Sequence, residues 1–248
     1  LDHQSAKSVA LGGVGIVLND DGVCPVTSKT INLHKLLKLF GLKDRQLTSA
    51  LRRELYGEKK RIENGPGEGG DFHVPFLSDA KAHVIGKADL VQQTQARVEA
   101  SDQRKRLYPQ LADGFLDWLE QTKRSTNEKV GWHEGNVHNH HSIPELDLTL
   151  KVDNMLALKI GPDRYRLIYP YFTEKPILHE QWARVGLWAM SEALPDHSRS
   201  NMEILDILRG RAFSGARLFL KGDEEYLFSK RYREILDEWD NLRPEYGL

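Results

Sequence analysis

The stretch that decides the fold runs from residue 147 to residue 194 and reads DLTLKVDNMLALKIGPDRYRLIYPYFTEKPILHEQWARVGLWAMSEAL. Its first part alternates apolar and polar side chains from Leu148 to Val152, which is the period of a half-buried β-strand. Residues 161–163 supply turn chemistry, and the aromatic run over 165–172 predicts a second strand. Helical spacing of apolar residues follows from Trp182 to Leu194. Strand, turn, strand and helix therefore follow one another with almost no spacer.

Carboxylates gather around the first strand of this stretch, which we predict to run from Asp147 to Lys159. Glu145, Asp147 and Asp153 lie just before it or along its polar face. Oxygen ligands of this kind hold Mg²⁺ or Mn²⁺. A divalent cation held there would activate water against a phosphodiester. These three carboxylates are therefore the first candidate metal site.

The order of elements resembles the RecB-like branch of the PD-(D/E)xK nuclease superfamily over residues 145–243. In that resemblance Asp153 takes the place of the first acidic motif, 203–208 forms the next strand, and 224–242 forms the closing helix. The resemblance implies an α+β fold in which helices flank a central mixed β-sheet, the restriction-endonuclease-like core. It also implies binding or cleavage of DNA or RNA, in bacterial genome maintenance or defence.

The second motif of that family has changed in this chain. Tyr169-Pro170-Tyr171 stands where an acidic-x-Lys sequence is expected. Glu174 and Lys175 follow the strand, and Lys159 precedes it. The resemblance therefore implies either a rearranged catalytic site, in which Asp153 acts with Glu174 and one of the two lysines, or an inactive derivative that only binds nucleic acid.

Arginines supply the predicted phosphate contacts in either case. Arg52 and Arg53 lie on a predicted helix rich in basic residues, and Arg209 and Arg211 flank a glycine in a turn after a strand. Guanidinium groups bind phosphate oxygens through paired hydrogen bonds. We therefore predict these four side chains as nucleic-acid contacts, beside the alternative of an ordinary solvated basic surface.

Glycines divide the chain into an N-terminal and a main region. Residues 1–62 predict a β-hairpin followed by a pair of helices with a basic face, separated at Gly41. Residues 63–70 hold four glycines and a proline and predict a loop. Residues 71–248 predict an α/β main domain whose long helical region is broken at Pro109. The two regions form either separate domains or one.

Histidines form the second candidate metal site. His133, His138, His140 and His141 lie close together in the sequence. Imidazole nitrogens are common ligands of Zn²⁺. Their spacing lacks the helical period of helical zinc motifs, so we interpret the segment either as a Zn²⁺ site or as a polar loop.

Composition limits the remaining classes. Hydrophobic residues make up 40% of the 248 residues, which is enough for a full globular core. The net charge of −1 gives no overall argument for binding nucleic acid or membrane. A single cysteine, Cys24, cannot form an internal disulfide, and no apolar run is long enough to span a membrane. We therefore expect a cytoplasmic protein without a membrane partner.

Two further hypotheses need no nuclease chemistry. The near-neutral charge favours a non-enzymatic module that needs no cofactor and binds a protein partner through the aromatic hairpin and the helix over 178–194. Trp182, Trp188 and Trp239 would then be partner anchors or core residues. The other is a histidine-rich Zn²⁺ protein. Serine-hydrolase elbows and Walker-type loops do not occur in the sequence, so those classes have no motif to support them.

Overall fold

Helices and strands alternate along the chain, and a computed structural model describes residues 29–65, 72–133 and 137–248. The helices are α1 (Leu33–Phe40), α2 (Asp44–Asn64), α3 (Val74–Val84), α4 (Leu90–Ala100), α5 (Tyr108–Arg124), α6 (Glu180–Ala193) and α7 (Glu224–Leu242). The strands are β1 (Lys29–Asn32), β2 (Val130–Trp132), β3 (Asn139–Ile143), β4 (Leu148–Val152), β5 (Leu156–Ile160), β6 (Arg164–Tyr171), β7 (Met202–Asp206) and β8 (Arg211–Ser214). The predicted N-terminal hairpin and most of the predicted glycine-rich loop lie outside the described residues.

These strands form two mixed sheets. A three-stranded sheet has the order β1-β4-β3, with β1 parallel and β3 antiparallel to β4. A five-stranded sheet has the order β2-β5-β6-β7-β8, with β6 and β7 parallel and the other neighbours antiparallel. Helices flank the sheets, so the predicted α+β class is confirmed. The predicted central sheet is divided between two.

The predicted strand from Asp147 to Lys159 is wrong in one respect, because it contains two strands that belong to different sheets. β4 ends at Val152, and β5 begins at Leu156. Between them Asn154 has a φ of 56°. That left-handed conformation cannot continue a strand, and asparagine tolerates it better than most residues do. The break turns the chain from one sheet into the other directly after Asp153.

The predicted order of strand, turn, strand and helix is confirmed. Gly161, with a φ of 67°, turns β5 into β6, and the two strands pair antiparallel. Helix α6 then carries the chain to β7, which lies parallel to β6, as a βαβ crossover requires. β7 ends earlier than predicted, at Asp206, because Ile207–Arg209 form a 3-10 turn.

Strand β6 separates two hydrophobic clusters. Leu167, Tyr169 and Tyr171 pack with α1, α2, α6 and α7, whereas Ile168 and Phe172 pack with α3 and α5. This alternation is the two-residue period of a strand with both faces covered. Each leucine or phenylalanine fully buried in such a cluster stabilises the fold by about 1.5–3 kcal/mol. Helix α2, which carries the basic face, is therefore anchored in the main core.

Gly41 and Pro109 mark helix ends as the sequence predicts. Gly41 is the C-cap of α1, and α2 begins at Asp44. Pro109 lies in the first turn of α5, where a proline has no helical hydrogen bond to lose. Among the described helices, none has the length and apolar content needed to cross a membrane.

Candidate functional site

A basic groove of about 590 Å³ runs along α2, where the exposed face of this helix meets the C-terminal 3-10 turn Arg243–Tyr246. It is lined by Arg45, Thr48, Ser49, Arg52, Arg53, Tyr56 and Tyr246. Helical geometry explains the composition, because spacings of four, three and four place Arg45, Ser49, Arg52 and Tyr56 on one face. The groove is therefore an open depression formed by one face of α2 and bordered by Tyr246.

Positive charge in the basic groove is only partly neutralised. Arg52 Nη2 lies 3.0 Å from Glu245 Oε1, and this ion pair ties the C-terminal turn to α2. Within the described ranges, no carboxylate lies within 4.0 Å of the Arg45 or Arg53 guanidinium. Arg53 Nε donates to the Ser49 carbonyl at 3.3 Å. Two guanidinium groups thus keep donors for an anion.

Aromatic rings accompany this charge. The Tyr56 side chain is 53% exposed, and Lys60 Nζ lies 4.7 Å from the centre of its ring. Tyr246 is half-buried on the other side of the groove. Exposed rings beside unpaired guanidinium groups are the combination that binds single strands, since bases stack on the rings and phosphates meet the cations.

The other two predicted arginine contacts lie outside the basic groove. Arg209 Nη1 donates to Asp206 Oδ1 at 2.9 Å and to the Thr173 carbonyl at 3.0 Å. Asp206 is fully buried, and burial raises the pKa of its carboxyl although Arg209 opposes the shift. Arg211 is exposed, and its guanidinium carbon lies 4.6 Å from the Phe213 ring centre. Arg209 therefore fastens the loop after β6 to the end of β7, and its donors are used within the fold.

The predicted metal carboxylates are separated by β4. Glu145 and Asp147 are exposed just before this strand, and Asp153 follows it. A rise of about 3.3 Å per residue puts Asp147 and Asp153 about 20 Å apart along the strand. Ligands of one magnesium ion lie about 2 Å from it. Asp153 instead pairs with Lys151 at 3.0 Å, so the three carboxylates do not meet at one cation.

The predicted catalytic lysine and glutamate also point elsewhere. Lys159 is exposed on β5, opposite Tyr165. Tyr165 lies about 13 Å along β6 from Tyr169, which lines the same cavity as Asp153. Glu174 Oε2 accepts a hydrogen bond from Arg106 at 2.8 Å, and this contact lowers the pKa of Glu174. Lys175 follows Glu174 in the same loop after β6. The rearranged catalytic group is therefore not assembled around Asp153.

The predicted histidine site is also spread out. His140 and His141 are consecutive residues of β3, so their side chains point to opposite faces of the sheet. His133 stacks on Tyr165, with ring centres 5.2 Å apart, and His138 is exposed. Across the three described ranges, no three His, Cys, Asp or Glu side chains are grouped to hold a metal ion.

A second concavity, which we call the Asp153 cavity, encloses about 310 Å³ where the ends of β4 and β6 meet the first turns of α1 and α3. The Tyr169 hydroxyl in its wall accepts a hydrogen bond from the His34 amide at 2.8 Å. Burial raises the pKa of Tyr169 well above its usual range, and the negative charge of Asp153 raises it further. Asp153 and Tyr169 therefore line the same cavity, one as a carboxylate and the other as a buried phenol.

Arg184 is a buried cation of helix α6. Its Nε donates to Glu224 Oε1 at 2.5 Å, and both side chains are almost fully buried. Its Nη2 also lies 3.2 Å from Asp223 Oδ1. This position thus joins α6 to the start of α7 instead of facing Asp153.

The tryptophans predicted as partner anchors contribute to the core. Trp182 packs against Phe40, with ring centres 5.3 Å apart, and Trp188 packs against Phe228 at 5.5 Å. Trp239 is half-buried against the same cluster. Packing of this kind accounts for these rings without a partner.

Comparison with known proteins adds no relative. No protein-family model matches the chain, and no curated protein matches its sequence. Function is therefore inferred from the fold and from the two concavities.

Sequence reasoning missed parts of both concavities. Tyr56 could have been predicted from the sequence, because it lies four residues after Arg52 on a predicted helix. Tyr246 had no such signal, because a separation of 190 residues carries no local pattern. His34 and His73 in the Asp153 cavity also had no local signal, because each lies at the start of a helix that is far in sequence from β4 and β6.

Proposed function

We propose that the protein binds single-stranded DNA or RNA through the basic groove and does not cut it. The observation that carries the proposal is the pairing of two unneutralised arginines, Arg45 and Arg53, with the exposed Tyr56 ring on one groove wall. Single strands are bound by such grooves without sequence preference, through phosphate contacts and base stacking. The separated carboxylates at the two ends of β4 support binding without metal-dependent cleavage.

Salt dependence tests the phosphate contacts. Each contact to a single strand adds about −0.7 to the slope of log K against log salt concentration. The double substitution Arg45→Gln with Arg53→Gln should therefore make the slope less steep by about 1.4. Fluorescence anisotropy with a labelled oligo-dT and an oligo-U of equal length, over a series of salt concentrations, measures this slope.

A matched control removes the same charge elsewhere. Arg124 at the end of α5 and Arg164 at the start of β6 are both exposed and lie outside the basic groove. The double substitution Arg124→Gln with Arg164→Gln should leave the salt slope unchanged. Equal slopes for the groove and control variants, or no binding at low salt, would show that the groove does not bind nucleic acid.

Base stacking is tested separately. Tyr56→Ala removes an exposed ring, and stacking of one base on an aromatic side chain is worth about 1–3 kcal/mol. We therefore expect weaker binding with the salt slope kept. A parallel incubation with Mg²⁺ or Mn²⁺ should leave the oligonucleotide intact; cutting that Asp153→Ala abolishes would instead establish a nuclease.

A further inference from the structure

One border of the basic groove carries two carboxylates. Glu245 Oε1 lies 3.0 Å from Arg52 Nη2, and Glu238 Oε1 accepts a hydrogen bond from the Thr48 hydroxyl at 2.6 Å. Arg52 and Thr48 both line the groove. A carboxylate and a phosphate offer the same kind of charged acceptor oxygen to a guanidinium group. Glu245 therefore already occupies a cation that a strand bound in the groove would use for a phosphate.

Arg52 is the central cation of the groove. It lies between Arg45 and Tyr56 on one face of α2, since the spacings are seven and four residues. A rise of 1.5 Å per residue places Arg45 and Tyr56 about 16 Å apart along the helix. A strand that contacts both of them passes over Arg52, where the guanidinium is already paired.

The turn that carries Glu245 is fixed by packing. Tyr246 and Leu248, on its far side, pack against the main hydrophobic cluster. This anchoring keeps the Glu245 carboxylate beside Arg52 at a high effective concentration. The pair itself is weak, because the two side chains are 50% and 49% exposed and water competes for both charges. Glu245 is thus held in place, yet its contact with Arg52 is one that a phosphate can displace.

We propose that Glu245 is a built-in competitor for the phosphate site at Arg52 and lowers the affinity of the basic groove for a nucleic-acid strand. The inference rests on the proposed function and adds a regulation of the same groove. Phosphates reach Arg45 and Arg53 without displacing a carboxylate. A strand that spans the groove exchanges the Glu245 carboxylate at Arg52 for a phosphate, and Glu245 turns to solvent.

The central experiment is Glu245→Gln, which removes the competing charge and keeps the size of the side chain. Fluorescence anisotropy with labelled oligo-dT at low salt should show affinity that is higher by about two- to fivefold, the factor to which an exposed ion pair corresponds. The same substitution in the Arg52→Gln background should give no gain, because the cation it releases is absent. This double-mutant cycle isolates the contact between the two side chains.

Two controls remove one negative charge without releasing Arg52. Glu238→Gln acts at the same border of the groove, but its partner is the Thr48 hydroxyl. Glu120→Gln releases Arg124 on α5, outside the groove. Both should raise the affinity less than Glu245→Gln does. Equal gains for Glu238→Gln and Glu245→Gln would mean that total charge, and not competition at Arg52, sets the affinity, and would overturn the proposal.

Inorganic polyphosphate separates this inference from the proposed function, because it carries phosphates without bases. Titration calorimetry with polyphosphate should show the same gain for Glu245→Gln. If polyphosphate binds with this gain and oligo-dT does not bind, the competitor is supported and single-strand binding is wrong. Oligo-dT that binds equally well to the wild type and Glu245→Gln would overturn the competitor alone, and failure of both probes to bind at low salt would overturn both proposals.

Discussion

Replacing Arg184 by methionine removes the cation of a buried ion pair and leaves its carboxylate in place. In the wild type, Arg184 Nε donates to Glu224 Oε1 at 2.5 Å, and the two side chains are 4% and 2% exposed. Glu224 also accepts from the backbone amides of Lys221 at 2.8 Å and Gly222 at 3.0 Å. The substitution therefore leaves a buried charge with two backbone donors and no cation.

The expected loss of stability follows from that geometry. Removing one partner of a buried ion pair typically destabilises a protein by about 3–5 kcal/mol. The two backbone donors remain, so we expect Arg184→Met to lower the free energy of unfolding by about 3 kcal/mol, at the lower end of that range. Adding Glu224→Gln should recover about 1–2 kcal/mol, because the amide oxygen still accepts a backbone hydrogen bond while the buried charge disappears.

The pH dependence has a definite sign. Burial alone would raise the pKa of Glu224, but the Lys221 amide, Arg184 and the Gly222 amide together lower it. In the wild type, ionised Glu224 therefore stabilises the fold above a pH of about 4.5, its ordinary pKa. Without Arg184, one of the contacts that lower the pKa of Glu224 is lost, so this pKa should be higher in the folded variant than in the folded wild type. The difference in stability between variant and wild type should then shrink as the pH is lowered, by at most about 1.4 kcal/mol per pH unit.

Urea unfolding of the wild type and both variants at pH 7 and pH 5, followed by far-ultraviolet circular dichroism, measures these differences. Arg124→Met is the control, because Arg124 and its partner Glu120 are 75% and 60% exposed. An exposed pair contributes about 0–1 kcal/mol, so this variant should stay close to wild type. A loss below 1 kcal/mol for Arg184→Met, or a double variant no more stable than the single one, would refute the buried-pair argument.

Two other predictions concern close packing and metal. A Cβ on Gly114 would lie 1.9 Å from the Ile207 carbonyl oxygen, so Gly114→Ala should destabilise the fold by about 1–3 kcal/mol in urea unfolding. A Cβ on Gly57 would meet nothing within 4 Å, so Gly57→Ala should stabilise α2 by about 0.5–1 kcal/mol. Equal effects of the two substitutions would contradict this account of the α5 contact. Since β4 separates Asp147 from Asp153, Mn²⁺ should not raise the melting temperature through these residues. A bound cation would stabilise the protein by about 2.7 kcal/mol when Mn²⁺ is present at about 100 times its Kd. A stabilisation of that size that Asp153→Ala removes would show that a cation binds there.

Local chemistry is why the sequence predicts most of the fold. The Gly161 turn, the alternation of β6 and the proline in the first turn of α5 are each determined within a few residues, and each is observed. The division of 147–159 into two strands was missed because the local residue pattern carries no sign of it. Large apolar residues stand at every second position on both sides of the break, so periodicity alone does not show that Asn154 adopts a left-handed conformation.

The candidate sites were harder to predict because each is assembled from distant segments. The basic face of α2 is visible in the sequence, but Glu245 and Tyr246 reach it only through packing of α7 and the C-terminal turn against α2. Likewise, the four predicted arginines look equivalent as a set of phosphate contacts. Their hydrogen bonds in the structure distinguish them, because the Arg209 guanidinium donates to Asp206 and to backbone carbonyls.

Tyr169-Pro170-Tyr171 places buried phenols, not charged groups, at the end of β6. Tyr169 and Tyr171 are almost completely buried, and burial raises the pKa of Tyr171 to about 12. Their hydroxyls are engaged by the His34 amide and the Pro176 carbonyl, so both rings stabilise the junction of α1, β6 and the following loop. A carboxylate and a lysine at these two positions would be buried charges without those partners. The neutral Tyr169 ring therefore forms part of the wall of the cavity that Asp153 also lines.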